Sequence, residues 1–185
     1  MNIELLRTLG RVKSYRQGEF VCLEQEPGNT AFLLLKGTAD VICGSFEDRC
    51  RKVAQLLPGA IFGEMSLLEN KARNASVQAT AEDTMVLEIE KNNFLLTLQA
   101  DCEIAWNLMC SLLTRMENMM NEISRSGLPS AAVYQSSACY LQLKQLNRQQ
   151  FYKMIEQDVN YVFSLLKFLS SSLAAMNEEM VRQVN

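Results

Sequence analysis

No histidine occurs anywhere in the 185 residues. That absence excludes imidazole acid–base catalysis, Ser-His-Asp triads, histidine-ligated haem and most zinc sites, which all need a ring nitrogen titrating near neutrality. No Cys-x-x-Cys pair links the six cysteines, Cys22, Cys43, Cys50, Cys102, Cys110 and Cys139. Met1–Arg7 lacks the look of a secretion signal, so these read as reduced thiols of a cytoplasmic protein. The alternative is a Cys43–Cys50 redox pair across a hairpin, with Arg49 and Arg51 as neighbours that would lower a thiol pKa. No apolar run approaches the length that crosses a bilayer. Positive charge is also scarce: 18 Lys and Arg stand against 21 Asp and Glu, a net charge of −3. A nucleic-acid-binding face is usually basic, so none is expected. Finally, no nucleophile–base pair, metal cluster or acid dyad is visible, which leaves an enzyme as the least supported class and implies no cofactor or metal.

What the chain does contain is a change of pattern near Lys91. From Gly18 to Ile89, short apolar segments alternate with turn formers, which predicts a β-sandwich or barrel. The segments are Phe20–Leu23, Ala31–Leu35, Ala39–Cys43, Lys52–Leu57, Ser76–Ala79 and Thr84–Ile89. Met1–Gly10 reads as a short helix. After Lys91 the period becomes helical. A short helix carries Phe94, and Asp101 is placed to cap a longer one. Cys102, Ala105, Met109, Leu112, Met116, Met119 and Ile123 recur at alternating spacings of three and four, a heptad seam for another helix or for the β domain. Ser124–Ser130 reads as a linker. Residues 1–127 are thus expected to form one domain and 128–185 a helical extension. A shift of 57 residues places Phe94 on Phe151, Asp101 on Asp158 and every seam position on an apolar residue from Val159 to Met180. Residues 147–184 therefore read as a second short-helix, long-helix unit without a barrel.

Gly59–Ala79 concentrates the chemistry. Glu64 and Arg73 stand nine residues apart around the apolar turn Met65–Leu68, with Gly63 at its entry. A guanidinium fork suits two phosphate oxygens, and a carboxylate, which only accepts, suits a ribose hydroxyl. A Gly-rich turn entering a helix offers backbone N–H groups to an anion. The plainer reading is a structural ion pair, which contributes little at the surface and is costly when buried.

Taken with Gly18-Glu19, Pro27-Gly28-Asn29, Lys36-Gly37 and Leu57-Pro58-Gly59-x-x-Phe62-Gly63-Glu64, the Arg-x-Ala-Ser at residues 73–76 resembles the cyclic-nucleotide-binding domain family. The resemblance covers about residues 10–125. It implies an α+β fold: a β-jelly-roll barrel with flanking helices, here followed by a helical C-terminal extension. It implies a phosphate-binding cassette behind Phe62, with Gly63 and Met65 lending N–H groups, Glu64 holding the ribose 2′-hydroxyl and Ser66 beside the phosphate. Arg73 would pair the cyclic phosphate with help from the backbone of Asn74 and Ala75. Asn74 departs from the Ser, Thr or Ala of many members, so the resemblance does not decide between cyclic AMP and cyclic GMP. Met109, Leu112, Leu113 and Met116 are candidates to cover the base. The implied partner beside the nucleotide is a second copy, joined through the 102–123 helix and possibly the 159–180 helix, with neither nucleic acid nor membrane. Three functions follow: a cyclic-nucleotide-responsive module, a transcription regulator of the catabolite-activator type, or an assembly protein whose nucleotide site is vestigial.

Overall fold

The computed structural model of the chain describes residues 9–44, 51–125 and 137–184. The expected helix at Met1–Gly10 lies outside them apart from its last two residues, as do Cys50 and most of the Ser124–Ser130 linker. The chain forms two compact units, Met1–Ile104 and Ala105–Asn185. Their boundary falls early in a helix, whereas the sequence reading followed composition and put it after residue 127.

The first unit begins with β1 (Arg11–Tyr15), β2 (Phe20–Cys22), β3 (Thr30–Lys36), β4 (Ala39–Cys43), β5 (Arg51–Leu56) and β6 (Ile61–Phe62). It continues through α1 (Glu64–Glu69), β7 (Ser76–Ala79), β8 (Thr84–Glu90) and α2 (Lys91–Ala100). The strands make two four-stranded sheets in the orders β1-β8-β3-β6 and β2-β7-β4-β5, with every pairing antiparallel. Eight strands in two sheets is the expected jelly-roll architecture. Cys22, Phe32, Leu34, Ala39, Leu56, Phe62, Val77 and Val86 form a buried cluster drawn from both sheets. On β3 the alternation places Phe32 and Leu34 in that cluster; Ala31 and Leu33, on the other face, are buried as well. α2 packs on β3 and β8 and buries Phe94, Thr97 and Leu98. Fully burying a side chain such as Phe94 contributes about 1.5–3 kcal/mol.

Two strands escape the sequence pattern. β1 reads Arg-Val-Lys-Ser-Tyr and stays largely exposed because it is an edge strand, held to β8 by its ladder and by Lys13 Nζ at 2.7 Å from Glu88 Oε2. β6 has only two residues, too few for any period to show.

The next helix, α3 (Cys102–Arg125), runs from the first unit into the second, which also contains α4 (Ala138–Gln145), α5 (Arg148–Gln157) and α6 (Val159–Val184). Asp101 caps α3 as expected: its Oδ1 accepts the Glu103 N–H at 3.0 Å. Asp158 does the same for α6, accepting from Asn160 at 3.0 Å and Tyr161 at 3.1 Å. The backbones match too, with φ −140°, ψ 96° at Asp101 and φ −157°, ψ 93° at Asp158. α2 and α5 are each ten residues long and bury Phe94 and Phe151. The landmarks 57 residues apart thus have equal local geometry. The seam needs one correction. Met120 is buried where Met119 was expected, and Met119 is only half-buried. A straight helix drifts about 20° per heptad against a strict seven-residue repeat, which moves the buried stripe along by one position.

Within the second unit, Trp106 meets Phe151 edge-on at 5.5 Å, with the Arg148 guanidinium 5.9 Å from the indole ring. Tyr140 Oη donates to Glu117 Oε1 at 3.1 Å, and Lys144 Nζ lies 2.9 Å from the same oxygen. Asn147 and Gln150 form a reciprocal capping box at the start of α5, a signature the sequence reading passed over. The reading that no apolar run approaches a membrane span is also corrected: Val159–Met176 in α6 reaches that length, with a mean hydropathy of 1.3. Its serines and Lys167 break the run by eye while leaving the average high. Asn160, Tyr161, Ser164, Lys167 and Ser171 are exposed while Val162, Leu166, Leu169 and Leu173 are buried, the one-sided pattern of a helix packed against protein.

Candidate functional site

Arg73 lies in the segment between α1 and β7, and its main chain is fixed on both sides. Its N–H donates to Glu26 O and its carbonyl accepts from the Gln25 N–H, both at 2.8 Å. The Leu23–Glu26 turn that does this is closed by the Glu26 N–H donating to Leu23 O at 3.3 Å and the Leu23 N–H donating to Glu26 Oε2 at 3.1 Å. Gln25 pays for the geometry with φ +67°, the left-handed region that residues with a Cβ seldom adopt.

The Arg73 side chain is equally constrained. It is only 6% exposed. Nη1 donates to Gly63 O and Nη2 donates to Thr30 Oγ1, both at 2.7 Å. The guanidinium lies 5.1 Å from the centroid of Phe32, whose ring stacks on Phe62 at 5.1 Å. Cation–π contact of this kind strengthens as water is removed. Burial pushes the guanidinium below the ordinary arginine value, while Cys22, Glu26, Glu64 and Glu88 act in the opposite direction. Two of the five N–H donors of the planar fork are engaged by these bonds.

Gly63 precedes α1 with φ +69°, and a Cβ there would sit 2.6 Å from Arg73 Nη1 and 3.1 Å from Phe32 Cδ2. Both the backbone and the arginine therefore demand glycine. Glu64, the first residue of α1, is 1% exposed, and Ser66 3%. A Cβ on Gly28 would collide with Ser66 Cβ, so the 27–29 loop can lie on α1 only because residue 28 has no side chain. Phe62 is buried and Met65 half-buried; Asn74 is exposed, and its carbonyl accepts the Cys43 thiol at 3.7 Å; Ala75 is half-buried. Of the predicted residues, Gly63 thus contacts Arg73 directly and Phe62 reaches it through Phe32, with Glu64 close enough to act on the Arg73 charge. A cavity of about 380 Å³ lies on adjoining loops, lined by Gln25, Pro27, Gly28, Asn29, Asn70, Lys71 and Ala72, none of them a predicted site residue. Met109, Leu112 and Met116, expected to cover the base, are buried and belong to the second unit; Leu113 is half-buried.

Sequence reasoning missed Thr30 and Phe32 as parts of the site. Phe32 read only as a strand residue, and Thr30 preceded the apolar run that defined β3. The only signal was a hydroxyl at the mouth of that strand, which becomes informative once the fold brings it beside Arg73.

Residues 12–101 match the family model of the cyclic nucleotide-binding domain. The Cyclic AMP receptor protein of Thermus thermophilus is 25% identical over 182 residues, 98% of this chain and 78% of that protein. The cGMP-dependent protein kinase of Eimeria tenella is 26% identical over 136 residues, 72% of this chain but only 13% of the kinase, so the chain corresponds to a small part of that relative. A solved cyclic nucleotide-binding domain from Methylobacillus flagellatus shares the fold, with TM-score 0.54 at 22% identity over 67% of this chain and 71% of that one. The matched segment, just under half of the chain, holds both jelly-roll sheets but for Arg11 and the whole Phe62–Ala75 stretch, and it is this segment that matches the cyclic nucleotide-binding domain family.

Proposed function

We propose that the chain is a cyclic-nucleotide-responsive regulatory module, cytoplasmic and without an enzymatic activity of its own, that takes cyclic AMP or cyclic GMP. The observation that carries this reading is the state of Arg73: a buried cation, held by Gly63 O and Thr30 Oγ1 and backed by Phe32, beside a buried acid at Glu64. Holding a desolvated guanidinium in place makes sense if an anion is to meet it, because orienting the fork beforehand lowers the cost of binding. In this reading Arg73 takes the cyclic phosphate. The N–H groups of Gly63, Met65, Asn74 and Ala75 and the Ser66 hydroxyl surround that phosphate, and Glu64 accepts from the ribose 2′-hydroxyl behind Phe62.

Ligand state would pass through α3 to the C-terminal helices as a shift between two existing arrangements. α3 would also join two copies of the chain, with α6 available to extend that contact. Nucleic acid and membrane are not partners in this scheme.

Isothermal titration with each nucleotide tests the assignment. Heat is expected from at least one, and Arg73→Ala should weaken it by roughly 2–5 kcal/mol, the usual cost of truncating one side of a buried charge pair. Silence from folded protein at millimolar nucleotide, or an Arg73→Ala variant that binds like the parent, would reject it.

A further inference from the structure

From the contacts around Arg73 we infer that Thr30 is a positioning residue for ligand recognition, acting through its hydroxyl. The inference rests on the function proposed above and deepens it. Arg73 is reached from three directions. The Leu23–Glu26 turn fixes its main chain, Gly63 O accepts from Nη1, and Thr30 Oγ1 accepts from Nη2 at 2.7 Å. Gly63 O alone would leave the guanidinium free to rotate about that bond. Two acceptors on two different nitrogens fix both the plane of the fork and its rotation within the plane, and bidentate pairing with phosphate depends on both.

Thr30 is well supported for this task. It opens β3, where it pairs with Glu90 at the end of β8, and the next residue but one, Phe32, lies against the same guanidinium. Side chains two apart on a strand share a face, so one strand end supplies both the hydrogen-bond acceptor and the aromatic surface. The preceding residue, Asn29, accepts the Lys91 N–H at 3.2 Å, which ties this strand end to the first residue of α2. The position that orients Arg73 is therefore anchored by the sheet and by the base of a helix. Elements of the scaffold hold a recognition group more tightly than loops do.

Two substitutions separate the hydroxyl from packing. Thr30→Val keeps the branched shape and removes the acceptor; Thr30→Ser keeps the acceptor and removes the methyl. Each variant of the full chain is titrated with cyclic AMP and cyclic GMP by calorimetry. Thr30→Val should weaken the nucleotide that the parent binds by about tenfold, the scale of one charged hydrogen bond, and Thr30→Ser should stay within about twofold of the parent. The opposite order, with Ser harmful and Val harmless, would show a packing role and overturn the inference, as would equal losses or no loss with Val. Absence of binding by the parent itself is a different result: it removes the proposed function, and this inference with it.

Discussion

Glu64 and Arg73 are side chains that a stable fold would not choose for their own sake. Each is almost fully buried, and bringing a charge out of water costs several kcal/mol that an ion pair recovers only with good geometry. Their retention is intelligible if a ligand completes the electrostatics. Glu64→Ala should then act selectively. Loss of a charge-assisted hydrogen bond to a hydroxyl would weaken cyclic AMP by about 1.5–3 kcal/mol, less than the loss from Arg73→Ala. It should leave 2′-deoxy cyclic AMP nearly unaffected, because that ligand has no hydroxyl to donate. Calorimetry with both ligands checks this, and an equal loss for the two would contradict the role given to Glu64. These two residues were legible in the sequence because their spacing and the glycine between strand and helix are local. Thr30 was not, because a hydrogen bond spanning 43 positions leaves no trace in spacing. Gly28 was read as a turn former, whereas its closest constraint is the approach of Ser66.

Elements were readable where period and length agreed. β4 and β7 have the predicted bounds, since each is a short segment set off by turn residues, and the capping aspartates marked both long helices. β1 and β6 were invisible: one carries charges along an edge, and the other is too short. How helices meet is a further step, and the α3–α4 contact shows its consequences. The hydrogen bond from Lys144 holds the Glu117 carboxyl below its ordinary value of 4.5; burial opposes it, and the Tyr140 hydrogen bond and the Lys144 charge add to the lowering. A depressed folded pKa means the contribution is present above the unfolded value and is lost as pH falls through the folded one. Glu117→Gln should therefore melt below the parent at pH 7, and the gap should narrow as the medium is acidified past the ordinary glutamate range. Salt should also narrow it, because both partners are substantially exposed. Trp106, the only tryptophan, lies in the same unit and reports that transition by fluorescence. A gap that is constant from pH 7 to pH 3 would show that Glu117 stabilises by some route other than its charge.

At the scale of the molecule, the site and the only tryptophan lie in different compact units, and α3 is the element that belongs to both. This arrangement makes the proposed transmission measurable without knowing a downstream partner. A ligand that binds only the folded form stabilises by RT ln(1 + [L]/Kd), about 2.7 kcal/mol at a hundredfold excess over Kd. If ligand state passes through α3, part of that stabilisation must reach residues beyond Ile104. Trp106 fluorescence should then report a higher melting midpoint with cyclic nucleotide, shifted together with the far-ultraviolet dichroism that follows the whole chain. The same shift should fall to about a third or less in Arg73→Ala at equal ligand concentration, since a loss of about 2 kcal/mol or more raises Kd at least about 30-fold. If nucleotide raises the dichroism midpoint while the Trp106 midpoint stays where it was, the first unit senses the ligand alone. Coincident shifts would place both units in one cooperative transition, because probes of separate units move together only when the units share their unfolding equilibrium.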